Sequence, residues 1–208
     1  MNETLEKILE HSLQLFIRYG IRSVSMDDIA RDLGMSKKTL YQYVSNKAEL
    51  VKMGMERHLQ AELEMVDQLF KTGRNAIDEM IEIGNHVSRQ LKLLNTNIIF
   101  DLQKYYRESW TLIEQHRTEF IYQTIIKNME QGINEGLYRS NLKADLIATF
   151  YIEKASIFIN NDFWHDSKYT PADVYTELLK YHIYGIASEK GMQYLQEKMT
   201  NGDTENIE

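Results

Sequence analysis

Apolar residues recur at three- and four-residue steps along most of this 208-residue chain, which has one proline and ten glycines. That spacing places apolar side chains on one stripe of a 3.6-residue helix, and so few prolines leave helices uninterrupted. The expectation is an all-α protein, long enough for one large or two small domains and a sizeable core.

Start and stop signals divide the chain into successive helices. Helix 1 is expected from Thr4 to Tyr19, with Leu5, Ile8, Leu9, Leu13, Phe16 and Tyr19 on one face and Gly20 as its stop. Ser25 caps helix 2, with Asp27 and Asp28 in its first turn, and Gly34 makes a tight turn after Leu33. Helix 3 is expected over Lys37 to Val44. Ser45 or Asn46 caps helix 4, with Glu49 completing a capping box on Asn46, and the helix runs to Phe70. Thr72-Gly73 breaks the pattern. Helix 5 follows from Asn75 to Leu94, helix 6 from Thr96 to Tyr105, helix 7 from Ser109 or Trp110 to Glu135, and helix 8 from Lys143 to Asn160. Thr170-Pro171 opens helix 9 with Asp173 at its third position, Gly191 interrupts it, and the polar stretch from Thr200 is expected to fray.

The segment SMDDIARDLGMSKKTLYQYVSNK, residues 25–47, carries the functional signal. Two short helices joined by a glycine turn form a helix-turn-helix, whose second helix can enter a DNA major groove. Lys37 and Lys38 follow Ser36, the expected N-cap. Cations at a helix N-terminus oppose its dipole, each costing about 0.3–1 kcal/mol, so their presence points to an anionic partner. Lys38 and Thr39 are candidates for base edges, since lysine can donate to guanine and threonine can bond a base or touch a thymine methyl. Ser36, Lys37, Tyr41, Tyr43 and Lys47 suit phosphates. The same side chains can also serve the fold alone, the tyrosines as filling and the lysines as solvated surface.

The net charge of −7 is unevenly spread: residues 1–47 carry +1 and the remainder −8. An acidic body repels DNA, so only the N-terminal end can approach it. There is no cysteine, which excludes disulfides, thiolate metal sites and cysteine nucleophiles and fits a reducing compartment. The charged start, MNETLEKILEHS, lacks an apolar signal core, and Glu153 and Lys154 break the most apolar stretch, so a cytoplasmic protein without a membrane partner is expected.

Val24 to Val51, VSMDDIARDLGMSKKTLYQYVSNKAELV, resembles the DNA-binding domain of TetR-family transcriptional regulators. Ile29, Ala30, Gly34, Met35, Ser36, Leu40, Tyr41, Tyr43, Lys47 and Leu50 match that family's pattern. Ser25 stands where threonine is usual, Val44 where phenylalanine is common, and Lys38 where glycine or alanine is frequent. GINEGLYRSNLKADLIATF resembles the family's turn between helices 7 and 8. The resemblance implies a three-helix helix-turn-helix bundle over residues 1–47. A larger helical ligand-binding and dimerisation domain follows over 48–208, giving about nine helices in all. It implies a homodimeric regulator, usually a repressor, that binds a pseudo-palindromic operator and is released by a small molecule. The implied DNA contacts are Ser25, Ser36, Lys37, Lys38, Thr39, Tyr41, Tyr43 and Lys47.

In the body, Leu146, Ile147, Phe150, Ile157 and Phe158 mark helix 8, and Val174, Leu178, Tyr181 and Ile186 mark helix 9, as apolar stripes. They can bury against a two-fold partner or within the monomer. A small-molecule effector is expected among Phe100, Tyr106, Trp110, Phe120 and Tyr151, with Tyr105, Tyr122, Phe158 and Trp164 as further lining. His86, Gln90, Gln103 and His116 offer polar handles, although aromatics also fill ordinary cores. No cofactor, metal or catalysis is expected. Asp162-x-x-His165 and Glu82-x-x-x-His86 are isolated pairs, and no Gly-rich phosphate loop occurs. The competing readings are a helical ligand-binding or metal-bundle enzyme and a protein-interaction module, neither with a DNA role.

Overall fold

The structure, a computed structural model, describes residues 2–95, 97–159, 163 and 167–200. The candidate residues Trp164, Asp162 and His165, the ends placed at Thr96 and Asn160, and the tail beyond Thr200 lie outside them. The described residues form helices and turns, with one isolated antiparallel bridge between Tyr138 and Ala187. They group into two compact units, residues 1–64 with 93–116, and residues 65–92 with 117–208. No helix among the described residues is long and apolar enough to cross a membrane.

The first unit contains α1 (Glu3–Tyr19), α2 (Met26–Asp32), α3 (Lys37–Leu40) and the greater part of α4 (Lys47–Phe70), with α6 (Asn97–Tyr105) and α7 (Arg107–Gln115). Ile8, Leu9 and Phe16 from α1 meet Ile29, Leu40, Val44 and Leu50 in its core. Tyr19, expected on that face, is exposed. The core is completed by α6, whose Ile98 and Leu102 are only 2 % and 1 % exposed. The Asn95 amide bonds the Ile17 carbonyl at 2.8 Å, tying the approach to α6 onto α1.

The second unit is built from α5 (Ala76–Leu91), α8 (Tyr122–Asn134), α9 (Ala144–Ala155), α10 (Pro171–Ile186) and α11 (Glu189–Thr200). Ile77, Met80 and Ile81 of α5 pack with Ile125 and Met129 of α8, Tyr151 of α9, Tyr175, Leu179 and Ile183 of α10, and Leu195 of α11. A buried polar network holds the start of α5. Tyr138 donates its hydroxyl to the Ala76 carbonyl at 3.1 Å and to Asn128 Oδ1 at 2.9 Å, while Asn128 donates to Ala76 O at 2.8 Å. Glu79 lies beside Asn128, and burial pushes its carboxyl above the usual range.

Several boundaries differ from the sequence expectation; α5 stops at Leu91 instead of Leu94, and α9 gives way at Ser156 to a 3-10 turn over Ser156–Ile159. α3 stops at Leu40, because Gln42 and Tyr43 bond back three residues to Thr39 and Leu40, which tightens the last turn. The expected helix 7 begins at Arg107 and passes through a π-helical segment, His116–Ile121, before α8. The expected helix 9 breaks at Ala187 rather than Gly191. Ala187 leaves the helix to pair with Tyr138, and the Ser188 amide bonds Leu137 O at 2.9 Å. Gly191 lies inside α11, where a Cβ would stand 2.1 Å from the Leu137 carbonyl oxygen.

Candidate nucleic-acid interface

The helix-turn-helix is assembled by local hydrogen bonds. Ser25 Oγ accepts from the Asp28 amide at 3.1 Å, and the Asp28 carboxylate accepts from the Ser25 amide at 2.9 Å and its hydroxyl at 2.6 Å. This reciprocal cap fixes α2, and those bonds hold the Asp28 carboxyl below the usual range. At the turn, Gly34 has φ +65°, where a side chain would be strained. The Met35 amide reaches Ala30 O at 2.9 Å and the Gly34 amide Arg31 O at 3.1 Å. These two bonds close α2 and aim the chain into α3.

On α3, Ser36 Oγ caps the Thr39 amide at 3.0 Å, and the two hydroxyls lie 2.8 Å apart. Lys37 extends back to Asp27, its ammonium 3.0 and 3.1 Å from the two carboxylate oxygens, which raises its pKa above the usual lysine value. Lys38 is exposed, and no ion pair or hydrogen bond engages its side chain among the described residues. Thr39 is half-buried, Tyr41 exposed, and Tyr43 half-buried against the core. From Leu33 to Ala48 there are three lysines and no carboxylate.

Lys47 is placed differently from the other cations. It is half-buried, its ammonium donates to Ile21 O at 2.5 Å, and it lies 5.7 Å from the centre of the Phe16 ring. Desolvation lowers its pKa, against the attraction of Asp101 and Asp28. An ammonium has three donors, so two remain for an anion. Asn46 caps α4 through the Glu49 amide at 2.9 Å, but the Glu49 carboxylate answers to the Ser45 amide rather than to Asn46.

The expected pocket residues fall in both units. In the first, Phe100 is exposed and meets Tyr105 edge-on at 6.3 Å, while Tyr106 and Trp110 pack on the core of α1 and α4. Gln103 is half-buried, and His116 Nε2 lies 2.9 Å from Glu62. In the second, His86 and Gln90 bond each other at 2.8 Å, Phe120 is half-buried, and Tyr151 is a core residue 3.5 Å from the Tyr175 hydroxyl. Glu82, the neighbour of His86 in the sequence pairing, binds Arg74 at 3.0 Å. No group of three metal-ligating side chains that could hold an ion occurs among the described residues.

Sequence reasoning passed over Arg22 and Asp101. The Arg22 amide donates to Asp101 Oδ2 at 3.0 Å, and its guanidinium lies over the Tyr105 ring at 4.7 Å. These partners are 79 and 83 residues from Arg22 in sequence, so no local pattern reveals them.

Comparison with known proteins agrees with this geometry. Residues 8–53 match the family model for bacterial regulatory proteins of the tetR family. The chain is 22 % identical over 187 residues to YvaF, an uncharacterised helix-turn-helix transcriptional regulator of Bacillus subtilis, covering 89 % of this chain and 96 % of that one. It is 23 % identical to the transcriptional activator FasR of Mycolicibacterium smegmatis, over 77 % of this chain and 74 % of that one. A transcriptional regulator from Cytophaga hutchinsonii has the same fold, with a TM-score of 0.68, 17 % identity, and coverage of 90 % of this chain and 100 % of its own. The capped α2, the glycine turn and the lysine-bearing α3 lie within the matched segment, and the all-α fold continues past it. Residues 8–53 thus carry the DNA-binding segment of bacterial regulatory proteins of the tetR family, on a chain similar along most of its length to helix-turn-helix transcriptional regulators.

Proposed function

We propose that this regulator acts in the cytoplasm as a homodimeric repressor. Residues 1–47 read a pseudo-palindromic operator, and residues 48–208 carry the dimer contact and a small-molecule site whose occupation releases the DNA. The observation carrying this reading is Lys38, an exposed and unengaged cation on a capped α3. Lys38 and Thr39 meet base edges. Ser36, Lys37, Tyr41, Tyr43 and Lys47 meet phosphates, Lys47 through its two remaining donors, whereas Ser25, whose amide and hydroxyl both donate to Asp28, serves the interface by capping α2. Two copies of α3 then serve half-sites one helical turn apart.

The dimer contact falls on α9 and α10. Leu146 and Phe150 on α9, and Tyr181 and Tyr184 on α10, are large apolar or aromatic residues exposed in the single chain, with Tyr181 at 67 %. Gly185 has no neighbouring atom within 4 Å of where a Cβ would stand, leaving room for a close helix approach. Release follows a population shift, in which the effector binds more tightly to a state whose two α3 helices no longer match the half-site spacing. FasR is named an activator, so the sign of regulation is an operator-position question answered by a promoter-reporter assay.

Selection from a random DNA pool tests the reading. Wild type should return a two-fold consensus, and Thr39→Ala should change preference at particular base pairs, by about 1–3 kcal/mol at a contacted position. An unchanged consensus in the variant removes Thr39 from base readout, and no enrichment with wild type sinks the operator reading.

A further inference from the structure

We propose that the corner between α6 and α7 is a second DNA-backbone surface, where Arg22, Lys104 and Arg107 gather around Tyr105 and hold phosphates beyond those met by α3. The proposal rests on the reading of α3 as the DNA-contacting helix and extends that interface to a part of the chain outside the matched family segment.

The cations here are held by rings instead of carboxylates. Arg22 lies over Tyr105 at 4.7 Å and donates to its hydroxyl at 3.2 Å. Lys104 lies 5.1 Å from the Phe100 ring and 5.4 Å from the Tyr105 ring, and the two rings meet edge to face. Arg107 is exposed, with no ion pair among the described residues. A ring face attracts a cation without cancelling its charge, so the patch keeps its positive field. Elsewhere, Lys37, Lys71 and Arg74 are each paired with a carboxylate. Holding the cations in place beforehand also reduces the ordering cost of binding.

The carboxylates near this corner are already engaged. Asp101 is buried and takes the Arg22 amide, Glu108 pairs with Lys52 at 2.9 Å, and Glu49 takes the Ser45 amide. Arg22, Lys104 and Arg107 make no ion pair among the described residues, and such cations gathered on a chain of net charge −7 suit an anion.

Position selects DNA. Tyr105 and Arg107 share a cleft of about 560 Å³ with Ser45 and Asn46, the residues that lead from the α3 turn into α4. The loop carrying Arg22 is fastened to the same place by the Lys47 bond to Ile21 O. The cations surround an exposed ring on an open surface and do not converge in a buried cavity, which suits a rod of phosphates better than one small anion.

The test is the salt dependence of full-chain binding to random-sequence duplex DNA, where each phosphate contact contributes about 0.9 to the slope of log affinity against log salt. In a dimer that carries each change twice, Lys104→Gln with Arg107→Gln should lower the slope by about 3.6, and Lys37→Gln, at a phosphate-facing lysine of α3, by about 1.8. Lys104→Arg with Arg107→Lys, which keeps both charges, should keep the wild-type slope, with circular dichroism confirming folding throughout. A wild-type slope in the Gln pair, with Lys37→Gln reduced, overturns this surface and leaves the α3 reading intact. A slope lost in the charge-conserving pair also overturns it, because charge is then not the cause. A loss in the Gln pair with none in Lys37→Gln keeps this surface and sinks the α3 reading.

Discussion

Lys37 and Lys38 are adjacent, alike and differently engaged: one is tied to Asp27 and the other to nothing described. An exposed ion pair is weak because water screens it and two long side chains must be held still, so Lys37 can leave Asp27 for a phosphate at little cost. Interior groups behave otherwise. Burial, aided by the Lys154 charge, pushes the His182 imidazole down to about 4, and it packs edge-on against Tyr151 at 4.8 Å. The folded chain therefore holds this histidine neutral, while the unfolded chain, at the ordinary 6.5, takes up a proton first. Stability is complete above about pH 6.5 and falls as the pH drops towards 4, by about 3 kcal/mol from this group. Denaturant unfolding of wild type and His182→Leu should diverge in pH slope across that window. Parallel slopes would show that His182 is protonated in the folded state.

At the scale of elements, close approach matters more than propensity. Gly132 in α8 faces Tyr138, and a Cβ there would stand 2.1 Å from Tyr138 Cδ2. The Tyr138 ring is buried, and its hydroxyl fixes the start of α5, so it has no free direction in which to retreat. Gly132→Ala should cost about 2–4 kcal/mol, seen as a lower unfolding midpoint, through overpacking and a disturbed hydroxyl network. A midpoint within 0.5 kcal/mol of wild type, a threshold set by ordinary surface changes of about that size, would mean that the ring moves freely. The caps were legible in sequence because Ser25 with Asp28, Ser36 with Thr39, and Thr170 with Asp173 act within three residues. The break at Ala187 was not, because its cause is Tyr138 on another turn of the chain. The π-helical segment had no local signal either. The α3 residues of the candidate interface were readable from spacing, whereas the Arg22–Tyr105 pairing needed the folded chain.

For the molecule as a whole, the proposed two-fold contact makes the strongest demand. An isologous interface doubles every substitution, since each residue occurs on both sides. Tyr181→Glu on α10 would bury a carboxylate on each side, offset only in part by Lys154, whose ammonium lies 4.0 Å from the Tyr181 ring, and should weaken dimerisation by roughly tenfold or more, read by sedimentation across concentration. A dimer of unchanged affinity would move the contact off α10. DNA affinity should fall with dimerisation, because a lone subunit reaches a single half-site.

Ile98 and Leu102 have a consequence for modular exchange. They come from beyond residue 90, yet they fill the interior of the N-terminal bundle. A DNA-binding segment cut from this regulator at residue 53 or 64 and grafted onto another body would therefore carry an open apolar socket. The recipient's own helix would have to plug that socket, so swapping heads between relatives requires matching two distant stretches of sequence at once.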